Sequence, residues 1–370
     1  MQDMINQFAE AIRTAESRCT PLYIRAGGTK DFYGNSITTP PRDGASENAI
    51  LDPSSFAGIV DYEPTELVVT ARSGTGLADL EAVLRDHGQM LPFEPPHFGL
   101  GATLGGCVAT GLSGPRRASA GAVRDFVLGV RMLDGKGDDL RFGGQVMKNV
   151  AGYDISRLLT GSMGTLGLLL EMSLKVLPIP ASQLTLGFRM GELEAIRKMN
   201  EWAGKPLPIS ATCFTDGDLT VRLSGAEPAV RSARQKLGGE EIAESEAFWV
   251  SVREQTHPFF QSGRQLWRLS IKSTSQPLSL PGKQLTEWGG ALRWLIIDEG
   301  YDQEAVQSAV RRVAESAGGH ATLFRSEGLR KDVFHPLSPA IARITQRLRE
   351  KFDPKGIFNP GRMYPLYPQI

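Results

Sequence analysis

The chain has 370 residues, too many for one ordinary core and enough for two domains. Its 41 Lys and Arg match its 41 Asp and Glu, a balance that argues against a nucleic-acid partner, which would favour a basic face. Cys19, Cys107 and Cys213 are too far apart for a disulfide framework or for zinc or iron–sulfur spacings, so no metal site is expected and the thiols belong in a reducing compartment.

Ile5, Phe8, Ala9 and Ile12 recur at helical spacing and predict an amphipathic helix, ended by Pro21. A short buried strand follows at 22–24, then Arg25-Ala26-Gly27-Gly28-Thr29-Lys30. A second strand at 67–71 leads through Gly74-Thr75-Gly76 to a helix marked by Leu77, Leu80 and Leu84 and closed near Gly88. Residues 127–133 read as a strand, and 168–177 as a long apolar one. Pro178 and Pro180 then punctuate the chain and suggest a domain boundary.

Beyond Pro180 the glycines thin out. Strands are expected at 184–189, 219–223, 266–272, 291–297 and 320–325. Helices are expected around Leu193, Ile196 and Met199, at 230–237, and between 301 and 317. The order suggests an α+β unit with an antiparallel sheet. Ser338 is a natural N-cap with Pro339 at the first helical position, and Asp353-Pro354-Lys355-Gly356 stops that last helix. The tail, with Asn359-Pro360-Gly361-Arg362, is too apolar to be idle and is expected to pack back.

The glycines carry the functional signal. There are 41, about one residue in nine against a usual ~7%, and they crowd between Gly99 and Gly167. Glycine is dense where backbone approaches a ligand or turns with positive φ, and a glycine turn after a strand can offer several N–H donors to a phosphate. Arg25 to Thr29 is such a turn, though alone it is equally a tight surface loop. The theme recurs in Gly101-Ala102-Thr103-Leu104-Gly105-Gly106, in Thr110 to Arg117, in Gly121-Ala122-Val123-Arg124-Asp125 and in Gly161 to Gly167. Neither the dinucleotide-fold GxGxxG nor a Walker A loop is present.

These loops resemble the FAD-binding domain of the vanillyl-alcohol oxidase and p-cresol methylhydroxylase (PCMH) superfamily, over roughly residues 20–180 and the tail. The run Val146-Met147-Lys148-Asn149-Val150-Ala151-Gly152-Tyr153-Asp154 is distinctive of its glycolate oxidase and D-lactate dehydrogenase branch. Pro95-Pro96-His97-Phe98-Gly99 and Leu112-Ser113-Gly114-Pro115-Arg116-Arg117 look like the E-type subunits of glycolate oxidase.

The resemblance implies a two-subdomain PCMH-type FAD domain at 1–180, an α+β cap at 181–330 and a C-terminal helix and tail at 331–370 that return to the FAD domain. It implies FAD bound by Arg25, Ala26, Gly27, Gly28, Thr29 and Lys30 at the pyrophosphate. Gly105, Gly106, Ser113 and Gly114 would run beside the ribityl chain and flavin, with Gly121, Val123, Arg124 and Asp125 nearby. Gly164, Thr165, Gly167 and Leu168 would meet the adenine half, and Asn359 the flavin edge. Thr29 stands where some relatives attach flavin through a histidine, so non-covalent FAD is expected.

The activity implied is that of an FAD-dependent 2-hydroxy-acid oxidoreductase, oxidising glycolate to glyoxylate by hydride transfer to flavin. It would work with a D-type flavoprotein subunit and an F-type iron–sulfur subunit that takes the electrons. Such chemistry needs an arginine for the carboxylate and a base for the hydroxyl proton. Arg253, His257, His320 and Arg325 are the candidates, with Arg268 beside them. Arg253 and His257 would share a face if one helical turn apart. His97 would shape the pocket, and Lys148 and Tyr153 would support the flavin. The histidine motif that many hydroxy-acid-oxidising relatives carry is absent. That keeps two alternatives open: a self-sufficient D-2-hydroxy-acid dehydrogenase, and a flavin-holding structural subunit that completes no substrate site. No apolar run reaches bilayer-spanning length and no signal peptide is evident. A cytoplasmic location is expected, open to peripheral attachment at the inner membrane through partners.

Overall fold

The computed structural model describes residues 1–37, 50–144, 154–261, 265–297 and 301–365. Two antiparallel sheets organise them. The first has five strands, in the order Ile59–Glu63, Val68–Arg72, Leu168–Lys175, Val127–Leu133 and Asp139–Gly143. Leu168–Lys175 sits at its centre because it is apolar on both sides. Leu168 and Leu170 pack with Ile5, Phe8 and Ile12 of the helix Gln2–Arg18. Leu169 packs in a second cluster with Leu77, Leu80 and Leu84 of the helix Leu77–Asp86. The first helix ends before Pro21. Cys19 turns left-handed at φ 50 and its N–H returns to the Glu16 carbonyl, a left-handed C-terminal cap.

The second sheet has eight antiparallel strands, in the order Glu240–Glu241, Ser182–Arg189, Asp218–Gly225, Ile209–Thr215, Lys283–Glu287, Leu292–Ile297, Gln265–Ser270 and His320–Ser326. Helices Glu192–Ala203 and Glu227–Leu237 cover one part of it, through Ile196, Met199 and Val230. Helix Gln303–Ser316 covers another, through Val306, Val310 and Ala314. Another cluster joins the large sheet to loops around the first one: Trp288, Trp294 and Phe324 pack with Tyr33, Leu112 and Met163.

A buried charge triad reinforces that junction. The Glu94 carboxylate accepts from the backbone N–H and Nε of Arg116, at 3.0 and 3.1 Å, and pairs with Arg222 of the large sheet at 2.8 Å. Arg222 is 4% exposed and lies over the Trp249 ring.

The C-terminal segment returns as expected. The Asp353 carboxylate accepts from the N–H groups of Ile357 and Phe358, both at 2.9 Å. Leu22 N–H then donates to the Ile357 carbonyl, and Asn359 N–H to the Leu22 carbonyl. Phe358 is fully buried. Helix Pro339–Phe352 has Pro at its start, but Ser338 makes no side-chain cap bond. The distinctive run from Val146 falls outside the described residues up to Tyr153, and with it Lys148 and Tyr153.

Candidate cofactor site

The strand Tyr23–Ile24 pairs in parallel with Ile50–Leu51, and the loop that leaves it walls a cavity of about 370 Å³. All six predicted residues from Arg25 to Lys30 line it. The loop lies against backbone: a Cβ on Gly27 would run into the Gly101 carbonyl oxygen. Gly28 has φ +69, which a side chain would disfavour. Among the described residues, none accepts a hydrogen bond from the backbone N–H groups of 26–30. Gly27 is exposed and Ala26, Gly28 and Thr29 are half-buried, so these donors on the cavity wall are open to a ligand rich in acceptors.

The second wall is the turn into the helix Leu104–Thr110. Thr103 caps it, its Oγ1 accepting from Gly106 N–H at 3.2 Å. Gly105 N–H donates to the Ser73 carbonyl at 2.8 Å, a spacing a Cβ would crowd. Gly105, Gly164, Gly167 and Leu168 border an adjoining cavity of about 90 Å³, which shares Gly106, Met163 and Asn359 with the first.

Asn359 ties the walls together. Its Oδ1 accepts from Ile24 N–H at 2.9 Å and its Nδ2 donates to the Met163 carbonyl at 2.7 Å. Asn359→Ala leaves the part-buried Ile24 N–H and the buried Met163 carbonyl unpaired, at about 1–2 kcal/mol each. Urea denaturation should show a loss of about 2–4 kcal/mol; a loss within error would mean that the tail is not what holds the walls.

Four cations line the main cavity (Arg25, Lys30, Arg330 and Arg362) against one carboxylate, Asp31. Arg25 pairs with Asp31 at 2.6 Å in the open. Lys30 is 9% exposed and donates to the His97 carbonyl at 3.2 Å. Burial lowers its pKa, with Cys107 and Glu254 opposing. Arg362 donates to the carbonyls of Asn35 and Asp31, both at 3.0 Å, and Arg330 to those of Gly34 and Asp31, at 3.1 and 2.9 Å. Burial pulls Arg362 down to about 10, so it stays charged at neutral pH. Sequence reasoning missed Arg330 and Arg362. Arg362 stands in the quoted Asn359-Pro360-Gly361-Arg362 tail, while Arg330 carries no local signal.

Free N–H donors, a cationic wall and glycines that admit close backbone approach fit the pyrophosphate of a dinucleotide. Other predicted residues lie elsewhere. Gly121 and Val123 to Asp125 do not line either cavity. They form a short capped turn, with the Asp125 carboxylate accepting from Ala122 N–H at 2.8 Å and Val123 buried in the core. Thr165 is 5% exposed and hydroxyl-bonded to the Ser162 carbonyl, off both cavities.

Ser113 and Gly114 border a separate cleft at the junction of the sheets, with Phe98, Arg253, Gln255, Arg268, Glu287, Trp294 and Phe324. Its volume is about 20 Å³, room for about one water. Arg253 alone of the four proposed catalytic residues reaches it, and its Nε is paired to Glu254 at 2.8 Å. Helix Ser245–Arg253 ends there, and Gln255 turns left-handed at φ 56, so Arg253 and His257 do not share a helical face. His257 Nδ1 accepts from Phe259 N–H at 3.2 Å, and burial lowers its pKa. His320 opens an exposed strand end with its ring 6.3 Å from that of His335. Arg325 lies over the Phe32 ring and donates to Gln255 Oε1 at 2.9 Å. Cys107 and Cys213 are buried and Cys19 exposed. Among the described residues no His, Cys, Asp and Glu cluster could hold a metal, and no helix is long and apolar enough to cross a membrane.

Glu287 on the cleft is 3% exposed and accepts from Trp294 Nε1 at 2.7 Å. Burial raises its carboxyl to about 7, with the Trp294 bond and Arg268 opposing. A folded pKa above the unfolded one favours folding at low pH, and the advantage is lost as pH rises through the folded value. The melting temperature should therefore fall between pH 4.5 and about 7. Glu287→Gln should flatten that part of the profile; an unchanged slope would place the titration elsewhere.

An FAD binding domain family model matches residues 3–143. The chain is 48% identical over 362 residues to glycolate oxidase subunit GlcE of Escherichia coli K12, covering 98% of each. Glycolate oxidase subunit GlcD of Bacillus subtilis is 34% identical over 166 residues, 45% of this chain and 34% of GlcD. An alkyldihydroxyacetonephosphate synthase structure superposes with a TM-score of 0.65 at 15% identity, over 96% of this chain and 75% of that one, which establishes the two-subdomain FAD-binding fold alone. One expectation is overturned. The end-to-end match is to one subunit of an oxidase, so the chain is an FAD-binding subunit and not itself the 2-hydroxy-acid oxidoreductase. With a non-covalent FAD site and this match along its whole length, the chain belongs to the GlcE family of glycolate oxidase subunits.

Proposed function

We propose that this chain is the flavin-holding subunit of a heteromeric glycolate oxidase. A companion D-type flavoprotein subunit completes the oxidation of the 2-hydroxy acid, and an F-type iron–sulfur subunit takes the electrons. The observation that carries this reading is the contrast between two spaces. The cation-lined cavity is open at about 370 Å³, whereas the cleft at the sheet junction is only about 20 Å³ and leaves no room for a hydroxy acid beside its arginines. The likeness to both GlcE and GlcD supports a multisubunit setting.

Bound FAD supplies two-electron redox chemistry. The chain's own groups do the holding. Lys30, Arg330 and Arg362 set a positive potential over the first loop. The N–H groups of 26–30 would hold the phosphates of FAD. Gly105 and Gly164, packed against Ser73 and Asn359, shape the wall of the adjoining cavity, and Asn359 fixes the spacing of the walls. The test is turnover with glycolate and with D-lactate, using an artificial electron acceptor. The isolated chain should show none above background, and the assembled complex should turn over glycolate. Turnover by the isolated chain at the rate of the complex would overturn the reading in favour of a self-sufficient dehydrogenase.

A further inference from the structure

The helix Pro339–Phe352 runs for 14 residues and buries none of them. An isolated helix of that length is marginal in water, and helices in proteins draw most of their stability from packing an apolar face. This one has such a face. Ile341 is 49% exposed and Ile344 54%; with the half-buried Leu348 they follow at helical spacing, one stripe along the helix. Beside that stripe runs a row of exposed cations, Arg343, Arg347 and Lys351, each four residues from the next. Like charges at that spacing repel and weaken a free helix. Exposed Glu350, three residues from Arg347, offsets part of that repulsion, and the net positive row becomes favourable against an opposing acidic surface.

We propose that this helix is the docking face of the chain, seated in an acidic groove with an apolar floor on a companion protein subunit. The inference rests on the multisubunit reading above. Two features favour a protein over an anionic lipid surface. Two of the three cations in the row are arginines, whose planar fork pairs with carboxylates. The exposed stripe carries no aromatic residue, which interfacial helices usually provide. Phe352, the one aromatic of the helix, packs inward 6.1 Å from the Phe142 ring.

The experiment compares the wild-type chain with Ile341→Glu/Ile344→Glu and with Arg343→Glu/Arg347→Glu. FAD content and melting temperature of each are measured first, and both should match wild type because the changed side chains are exposed. Association with the companion flavoprotein and iron–sulfur subunits is then measured by sedimentation. Each double variant should bind about 100-fold more weakly, as expected for loss of a central anchor. Wild-type binding by both variants would overturn the docking face and leave the complex intact. A wild-type chain that binds no companion would overturn the complex and the docking face together. Loss of binding to anionic vesicles, with subunit assembly unchanged, would assign the helix to a membrane and overturn the proposal.

Discussion

Gly27→Val should strip the protein of FAD. The first loop crosses the 99–101 segment with backbone against backbone, so a Cβ at position 27 strikes the Gly101 carbonyl oxygen. No flexible side-chain end stands there to give way. Either the loop lifts from the cavity wall or the 99–101 segment moves, and both displace the free N–H groups of 26–30. A backbone shift of this kind costs about 3 kcal/mol, which is about 100-fold in affinity. Fluorescence titration of the apo chain with FAD measures it. Wild-type affinity in Gly27→Val would mean that the cofactor does not depend on this crossing.

Glu94→Ala should destabilise the fold by about 3–5 kcal/mol, because it leaves two buried guanidiniums uncompensated. Burial alone would raise the Glu94 carboxyl, but Arg222 and Arg116 outweigh it and hold it below 4.5. A depressed folded pKa contributes stability that is present above the unfolded value and lost as pH falls through the folded one. The deficit of the variant in urea denaturation should therefore be full at pH 7 and shrink in acid. Arg222→Ala should cost a similar amount, and the double variant less than the sum, since the groups share one network. A deficit below about 1 kcal/mol at pH 7, the range of a surface pair, would remove the triad as a brace between the sheets.

Much of this site could be read from the sequence because backbone approach leaves a local signature. Gly27, Gly28, Gly105 and Gly164 are glycines where a Cβ would clash or a positive φ is needed, and each borders one of the two adjoining cavities. Asn359 was legible through its Asn-Pro-Gly setting. Arg330 was not, because it reaches the loop only through carbonyls nearly 300 positions away. Gly121 to Asp125 looked the same in sequence as the cofactor loops, yet their glycine serves a capped turn. Local composition does not separate the two uses.

The strands of the large sheet show a similar limit. Ile209–Thr215 alternates Ile209, Ala211 and Cys213 with the polar Ser210 and Thr212, yet it is buried from Ser210 onward, so its polar residues do not mark a solvent face. Lys283–Glu287 places Thr286 and Glu287 inside the protein, against the usual rule for polar residues. Both sit mid-sheet with burial set by distant partners. The helix Gln2–Arg18 and the strand Val127–Leu133, with clear periodicity or apolar runs, were legible.

The most direct test of the account is an anaerobic visible spectrum of the purified chain, before and after glycolate, followed by denaturation. A yellow protein whose flavin band does not bleach with glycolate, and whose colour is released on unfolding, is the predicted result. A colourless chain that cannot be reconstituted with FAD would contradict the cofactor site, and a band that bleaches in the isolated chain would contradict its role as a holder alone.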